Sequence, residues 1–215
     1  MTSQPPTAAP LLGEPFAVEF MNTIWADQSG VHDALASDAE VLAWLRAVDP
    51  RLTPRPATVD RWLQEARPAD LGDAGDRLRR LRDSLRRLAS ALTVDPRPAA
   101  ASAIEHVDEA LRVLNETTAA APRWSTLETT AAGFVRATRT DASPAAAIAA
   151  LVAEDAIDLN TGQLRDDLRA CLAPGCVLYF VKQHHRREWC STACGNRARA
   201  ARHYQRHRSA SVPHA

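Results

Sequence analysis

All four cysteines of this 215-residue chain stand between positions 171 and 194, spaced Cys171-x4-Cys176, thirteen residues, then Cys190-x3-Cys194. Two short loops that each deliver a pair of soft thiolates are what a tetrahedral zinc ion requires. Four thiolates also close the shell and leave no position for water, so the expected ion holds the fold together and catalyses nothing. Redox chemistry is the rival use, but it usually shows one two-cysteine pair near a βαβ pattern, and none is visible here. Iron could occupy the same thiolates, with zinc the default for a small helical module. The reading is one structural Zn2+ per chain on Cys171, Cys176, Cys190 and Cys194. His184 and His185 are surface residues on this reading, because the shell is already full.

From Ala193 onward the chain runs CGNRARAARHYQRHR, a helical composition that sorts into two faces when residues are placed at about 100° intervals. Cys194, Ala198, Ala201 and Gln205 fall toward the metal. Arg199, Arg202 and Arg206 share one stripe, with Asn196, His203 and His207 beside it. Arginine bonds guanine bidentately and asparagine bonds adenine, while the same helix could hold phosphates without reading sequence. Lys182, Arg186, Arg187 and Arg197 enlarge the basic surface and complete the set of candidate nucleic-acid contacts. The bland alternatives are a solvated helix that improves solubility and, for Asn196, a capping role beside the metal.

Charge is divided along the chain in a way that its net value of zero conceals: residues 171–215 hold eight basic and one acidic side chain, about +7, against about −7 for residues 1–170. Such asymmetry points to an anionic partner for the basic part, with nucleic acid first and an acidic protein surface or the chain's own acidic body behind it. Residues 1–10 lack a charged n-region and an apolar h-region, and no stretch approaches 18 uninterrupted apolar residues. With no cysteine framework for a secreted domain, the expectation is a cytoplasmic protein without a membrane segment.

The elements that must position these residues are mostly helical, since Ala and Leu dominate and only 5% of the chain is aromatic. Ser37-Asp38-Ala39-Glu40 reads as a capping box opening a helix with Val41, Leu42, Trp44, Leu45 and Val48 inward, ended by Asp49-Pro50. A short helix over 58–66 buries Trp62 and Leu63. Leu71, Ala74, Leu78, Leu81, Leu85, Leu88 and Leu92 then form one apolar seam, leaving Arg77, Arg79, Arg80, Arg82, Arg86 and Arg87 on a solvated face. Pro98 suits the start of a helix through Ala101, Ile104, Val107, Leu111 and Leu114, and Ser143-Pro144 caps another through Ile148, Leu151, Val152 and Ile157. Residues 116–140 read equally as two short strands or a helix. In the cysteine segment Pro174-Gly175 turns the first loop, Val177–Val181 is a β-prone run, and Glu188-Trp189 is expected to pair back with it as a hairpin.

The run Trp189-Cys190-Ser191 followed by Cys194-Gly195-Asn196-Arg197 resembles the signature of the CGNR zinc-finger family. In that family the finger follows a helical ABATE domain associated with stress-induced transcription regulation. The early segment here is similar to that domain at Val18-Glu19-Phe20-Met21-Asn22-Thr23 and at Asp33-Ala34-Leu35 through Trp44-Leu45. Two departures stand out: three residues rather than four separate Cys190 and Cys194, and Val181-Lys182 replaces an acidic position after Phe180.

The resemblance implies a treble-clef-like module of knuckle, β-hairpin and helix. The full expectation is a mostly α protein: disordered tails at 1–10 and 209–215, a helical domain over 11–165, and a zinc finger over 166–208. Its function is expected to be DNA-binding transcriptional regulation without enzymatic activity, with the helical domain acting as sensor or in a homodimer. An RNA-binding or protein-interaction adaptor is the alternative. Glu19, Asn22, Thr23 and Trp25 either line an effector pocket or form a buried hydrogen-bond network that fixes the fold.

Overall fold

The computed structural model describes residues 9–100 and 102–210, the side chains of residues 99 and 208–210 excepted. Helix α1 (Phe16–Met21) starts from the Pro15 carbonyl, which accepts the N–H groups of Val18 and Glu19, and all six of its residues are buried. A small hairpin follows, β1 (Ile24–Asp27) paired antiparallel with β2 (Gly30–Asp33). Helix α2 (Asp38–Ala47) opens on the expected capping box: Ser37 Oγ accepts from Glu40 N, and Glu40 Oε2 accepts from Ser37 N at 2.8 Å. Helix α3 (Ala57–Glu65) buries Val59 and Leu63 and leaves Trp62 half-buried.

Helix α4 (Ala74–Thr93) and helix α6 (Pro144–Thr161) form the middle of the core. Ser143 caps α6 by accepting from Ala146 N, and the alanines of α6 let α1, α3, α4 and α5 all approach it. Leu78, Leu81, Leu85 and Leu88 bury the α4 seam, each stabilising by roughly 1.5–3 kcal/mol. Leu81→Ala, at a fully buried position, is the single change here that would cost most, about 2–5 kcal/mol.

Two helical expectations change. Pro98–Ala100 is a single 3-10 turn, and helix α5 (Val107–Ala119) begins only at Val107. Ser102 holds the intervening chain off the helix, its hydroxyl donating to Asp83 O and accepting from Ile104 N. Leu114 is buried as expected and Val113 joins it, Leu111 is exposed, and Ala101, expected in the same helix, lies outside the described residues. The α4 arginines are not one solvated face either: Arg82 and Arg86 are buried. Both lie on the i, i+4 row that begins at Leu78, so they flank the seam closely enough to be covered by its neighbours.

The ambiguous stretch after α5 is a hairpin, β3 (Trp124–Thr130) paired in antiparallel register with β4 (Gly133–Arg139). Strands β5 (Leu168–Ala170) and β6 (Tyr179–Val181) pair antiparallel around the first cysteine loop, and α7 (Thr192–Ala210) ends the described chain. Of the expected tails, residues 1–8 and 211–215 lie outside the described residues, while Ala9 packs on the cysteine cluster and residues 209–210 belong to α7. Among the described residues no helix is long and apolar enough to cross a membrane.

Candidate metal centre and nucleic-acid interface

The first cysteine loop is the turn of the β5–β6 hairpin. Cys171 N donates to Leu178 O, Cys176 N donates to Ala173 O, and Gly175 takes φ +73°, a left-handed conformation that glycine adopts without strain. Cys190 sits just before α7 and Cys194 in its first turn, where Ser191 Oγ accepts from Cys194 N at 3.2 Å. All four cysteines are buried and free of disulfides, and their sulfurs lie within 4.8 Å of one another. Zn–S bonds of about 2.3 Å set tetrahedral edges of about 3.8 Å. The Cys176–Cys190 and Cys190–Cys194 sulfur separations are 3.8 and 3.4 Å, so the donor set fits a zinc ion.

Electrostatics favour the metal as well. Bonds to Cys176 and Cys190 pull Cys171 below the ordinary thiol range, and bonds to Cys171, Cys176 and Cys190 do the same to Cys194. The same crowding, led by Cys171, pushes Cys176 and Cys190 up. A divalent cation ends this competition by replacing the protons. Four thiolates leave the centre with a net negative charge, and three guanidiniums surround it. Arg197 Nη2 lies 3.0 Å from Cys194 Sγ. Arg97 Nη1 donates to the carbonyls of Cys171, Cys176 and Leu178 at 2.9–3.1 Å. Arg187 Nη2 donates to Cys190 O at 3.0 Å. Such outer partners orient the ligands and offset the charge. Burial works against the charge on Arg197, but the bond to Cys194 and the other cysteines raise its pKa nonetheless.

The expected partner strand at Glu188-Trp189 is not one; β6 pairs only with β5 among the described residues. Side chains occupy the edge that Glu188-Trp189 would have taken. Asn22 grips Tyr179 twice, Nδ2 donating to its carbonyl and Oδ1 accepting its N–H, both at 2.9 Å. Glu14 Oε2 accepts from Val181 N at 2.9 Å, Arg187 Nη1 donates to Val181 O at 2.9 Å, and Arg86 Nη2 donates to Val177 O at 3.2 Å. Glu14 and Arg187 also form an ion pair with little exposure. With every outward backbone group taken, a third strand has nothing left to bond.

These contacts decide the reading of the early polar residues. Glu19, Asn22, Thr23 and Trp25 are all buried, and Asn22 and Trp25 reach from the helical body to the finger. Glu19 Oε1 accepts from Leu12 N and Glu14 N, which fixes the segment that carries Glu14, and Thr23 Oγ1 donates to Phe20 O. Burial pushes the Glu19 carboxyl up against those bonds and the nearby Arg51. Trp25 packs on the cysteine cluster with Leu12 and Trp189. Sequence reasoning missed Glu14, Arg86, Arg97 and Asp95. Asp95 pairs with Arg97 at 2.6 Å and accepts from the Tyr179 hydroxyl at 2.8 Å. Burial raises Asp95, but the bonds from Arg97 and Tyr179 outweigh it and hold the carboxyl below its ordinary range. Burial pushes Tyr179 itself up to about 12. No periodicity marks Asp95 or Arg97; the adjoining row on α4 was the available sign for Arg86.

The candidate nucleic-acid residues divide into two groups. Arg187 and Arg197 are half-buried and bond the metal module, Arg197 to Cys194 Sγ and Arg187 to Cys190 O. Lys182 is half-buried, its N–H donating to Asp167 O, and Arg186 is exposed. Asn196, Arg199, Arg202, His203 and Arg206 are all exposed on α7. Gly195 keeps the root of the helix tight, because a Cβ there would come within 3.2 Å of the Trp189 ring. Arg202 lies 6.0 Å over that ring, and Arg199 bonds the Asn196 side chain. Beyond Ala201 every described side chain of the helix is exposed, so α7 projects from the module as a basic rod. Among the described residues no carboxylate pairs with Arg199, Arg202 or Arg206.

Residues 168–207 match the CGNR zinc finger, and the four sulfurs converge inside that span. Residues 14–163 match the family described as "Putative stress-induced transcription regulator". No curated protein matches the chain. With the larger match covering most of its length, the chain belongs to the ABATE family and carries a CGNR zinc finger built around one structural zinc.

Proposed function

We propose that this protein is a DNA-binding regulator of transcription whose α7 helix lies against DNA while the helical body carries the signal. One observation supports this above the others: Arg199, Arg202 and Arg206 share an exposed stripe, rooted at Cys194, with no carboxylate beside them among the described residues. Like charges three and four residues apart repel by a few tenths of a kcal/mol per pair, and a phosphate backbone reverses that sign. The closed four-thiolate shell supports a structural metal, and we assign the protein no catalytic step. A cleft of about 300 Å³ between α4, α5 and α6, rimmed by Arg77, Arg80 and Arg112, offers room for an effector in the helical body.

The test is binding of the zinc-loaded chain to duplex DNA across a salt series. Affinity should fall linearly on a log–log plot, and each phosphate contact contributes a slope of about −0.9. Arg199→Ala, Arg202→Ala and Arg206→Ala should each flatten that slope by roughly one unit if they hold phosphate. A base-reading arginine would instead cost about 1–3 kcal/mol at one base pair and relax specificity there. Unchanged affinity in all three variants would overturn the proposal; preferential binding of structured RNA or an acidic protein would make the helix an adaptor surface.

A further inference from the structure

The β3–β4 hairpin is mostly exposed. Leu127 and Phe134 are 73% and 76% exposed and Trp124 is 46% exposed. Thr129 faces Phe134 and Leu127 faces Arg136 across the ladder, so Leu127 and Phe134 project from the same face as diagonal neighbours. Neither strand pairs with any other strand among the described residues, which leaves both outer edges with unbonded backbone groups. A two-stranded ribbon in that condition is marginal, and three or more strands with an apolar face are needed for stability.

The two edges are chemically unlike. Strand β4 carries Arg136 and Arg139 and no acid, so two copies joined there about its centre would oppose Arg136 with Arg136 of the partner subunit. Strand β3 reads WSTLETT. Antiparallel pairing of two β3 strands about Leu127 opposes Leu127 with Leu127 of the partner subunit, Thr126 with Glu128 of the partner subunit, and Ser125 with Thr129 of the partner subunit. No like charges meet. Glu128 is already neutralised within its own hairpin by Arg139. A two-fold axis through Leu127 keeps each face of the hairpin continuous across the join, so two leucines and two phenylalanines come together on one side of a four-stranded sheet.

We infer that β3 is a dimerisation edge that takes a second copy of this chain, giving a continuous sheet in the order β4–β3–β3–β4. The pairing is independent of what α7 contacts. One strand edge and one small apolar strip fall short of the ~1,600 Å² of a standard interface, so association in the micromolar range is expected.

Sedimentation equilibrium of the full zinc-loaded chain, without DNA, tests this. The wild type should show a concentration-dependent monomer–dimer equilibrium. Leu127→Lys, which opposes two lysines at the axis, should weaken it at least tenfold with the circular dichroism spectrum and Tm unchanged, because position 127 is exposed in the monomer. Arg136→Glu, on the opposite edge, should leave the dimer intact. A wild type that stays monomeric to millimolar concentration overturns the inference. So does a dimer that survives Leu127→Lys, or one abolished by Arg136→Glu instead.

Discussion

Helices α4 and α7 both carry runs of arginine, and they treat them in opposite ways. On α4 four guanidiniums are matched by acids: Arg77 by Asp73, Arg79 by Asp38 and Asp76, Arg80 by Glu109, and Arg82 by Asp33 and Asp83. Arg86 is fully buried and donates to the carbonyls of Met21, Ala100 and Val177 at 2.9–3.2 Å. Burial lowers its pKa, yet arginine stays charged at any ordinary pH. On α7 the stripe of Arg199, Arg202 and Arg206 meets solvent, and its bonds go to Asn196 and to carbonyls of its own helix. The same side chain is structural where acids and orphan carbonyls surround it and available where they do not. Composition alone does not distinguish the two cases.

Removing zinc should disturb the comparison most, because the ion roots α7 while the core roots α4. The contacts of Asn22, Glu14, Arg86 and Arg97 with the finger backbone, and the burial of Tyr179 and Val181 in the main core, join the two parts. Apparent binding energies of structural zinc are about 10–16 kcal/mol, so chelation or Cys176→Ser should lower the stability of the whole chain by many kcal/mol in one transition. Calorimetry with and without chelator checks this. Two separate transitions, with the helical body melting unchanged, would show that the clamp does not couple them.

Neutralising arginines one at a time sharpens the contrast. Arg86→Met should cost about 3 kcal/mol or more, since it strands three buried carbonyls at about 1–3 kcal/mol each. Arg80→Ala should cost about 0.5 kcal/mol, as an exposed ion pair does. Arg199→Ala should leave stability within about 0.5 kcal/mol of the parent. Urea denaturation gives all three values, and an Arg86→Met variant as stable as Arg199→Ala would erase the distinction between the two helices.

A smaller effect should appear in the pH dependence of the clamp. Asp95 is held below its ordinary range in the folded protein, so its contribution is complete above the unfolded value of about 4 and is lost as pH falls through the lower folded value. The stability gap between wild type and Asp95→Asn, about 2 kcal/mol at neutral pH, should therefore narrow below pH ~4. A gap that stays constant well below that pH would mean the Asp95 charge contributes nothing to the docking of Tyr179.

For several elements a rule of local spacing was enough. The four cysteines, the capping box at Ser37 and Glu40, the α4 seam and the Ser143-Pro144 start of α6 each follow from neighbours within a few positions, because helix periodicity and ligand geometry are local. The stripe on α7 was legible for the same reason. What only the tertiary structure decided is which polar groups meet across the chain. Asn22 reaches Tyr179, Arg86 reaches Val177 and Arg187 reaches Glu14 over separations of 91 to 173 residues. No periodicity encodes such pairs; they arise where a strand edge and a helix are pressed together without water, and each orphan backbone group must then take whichever side chain the packing brings to it.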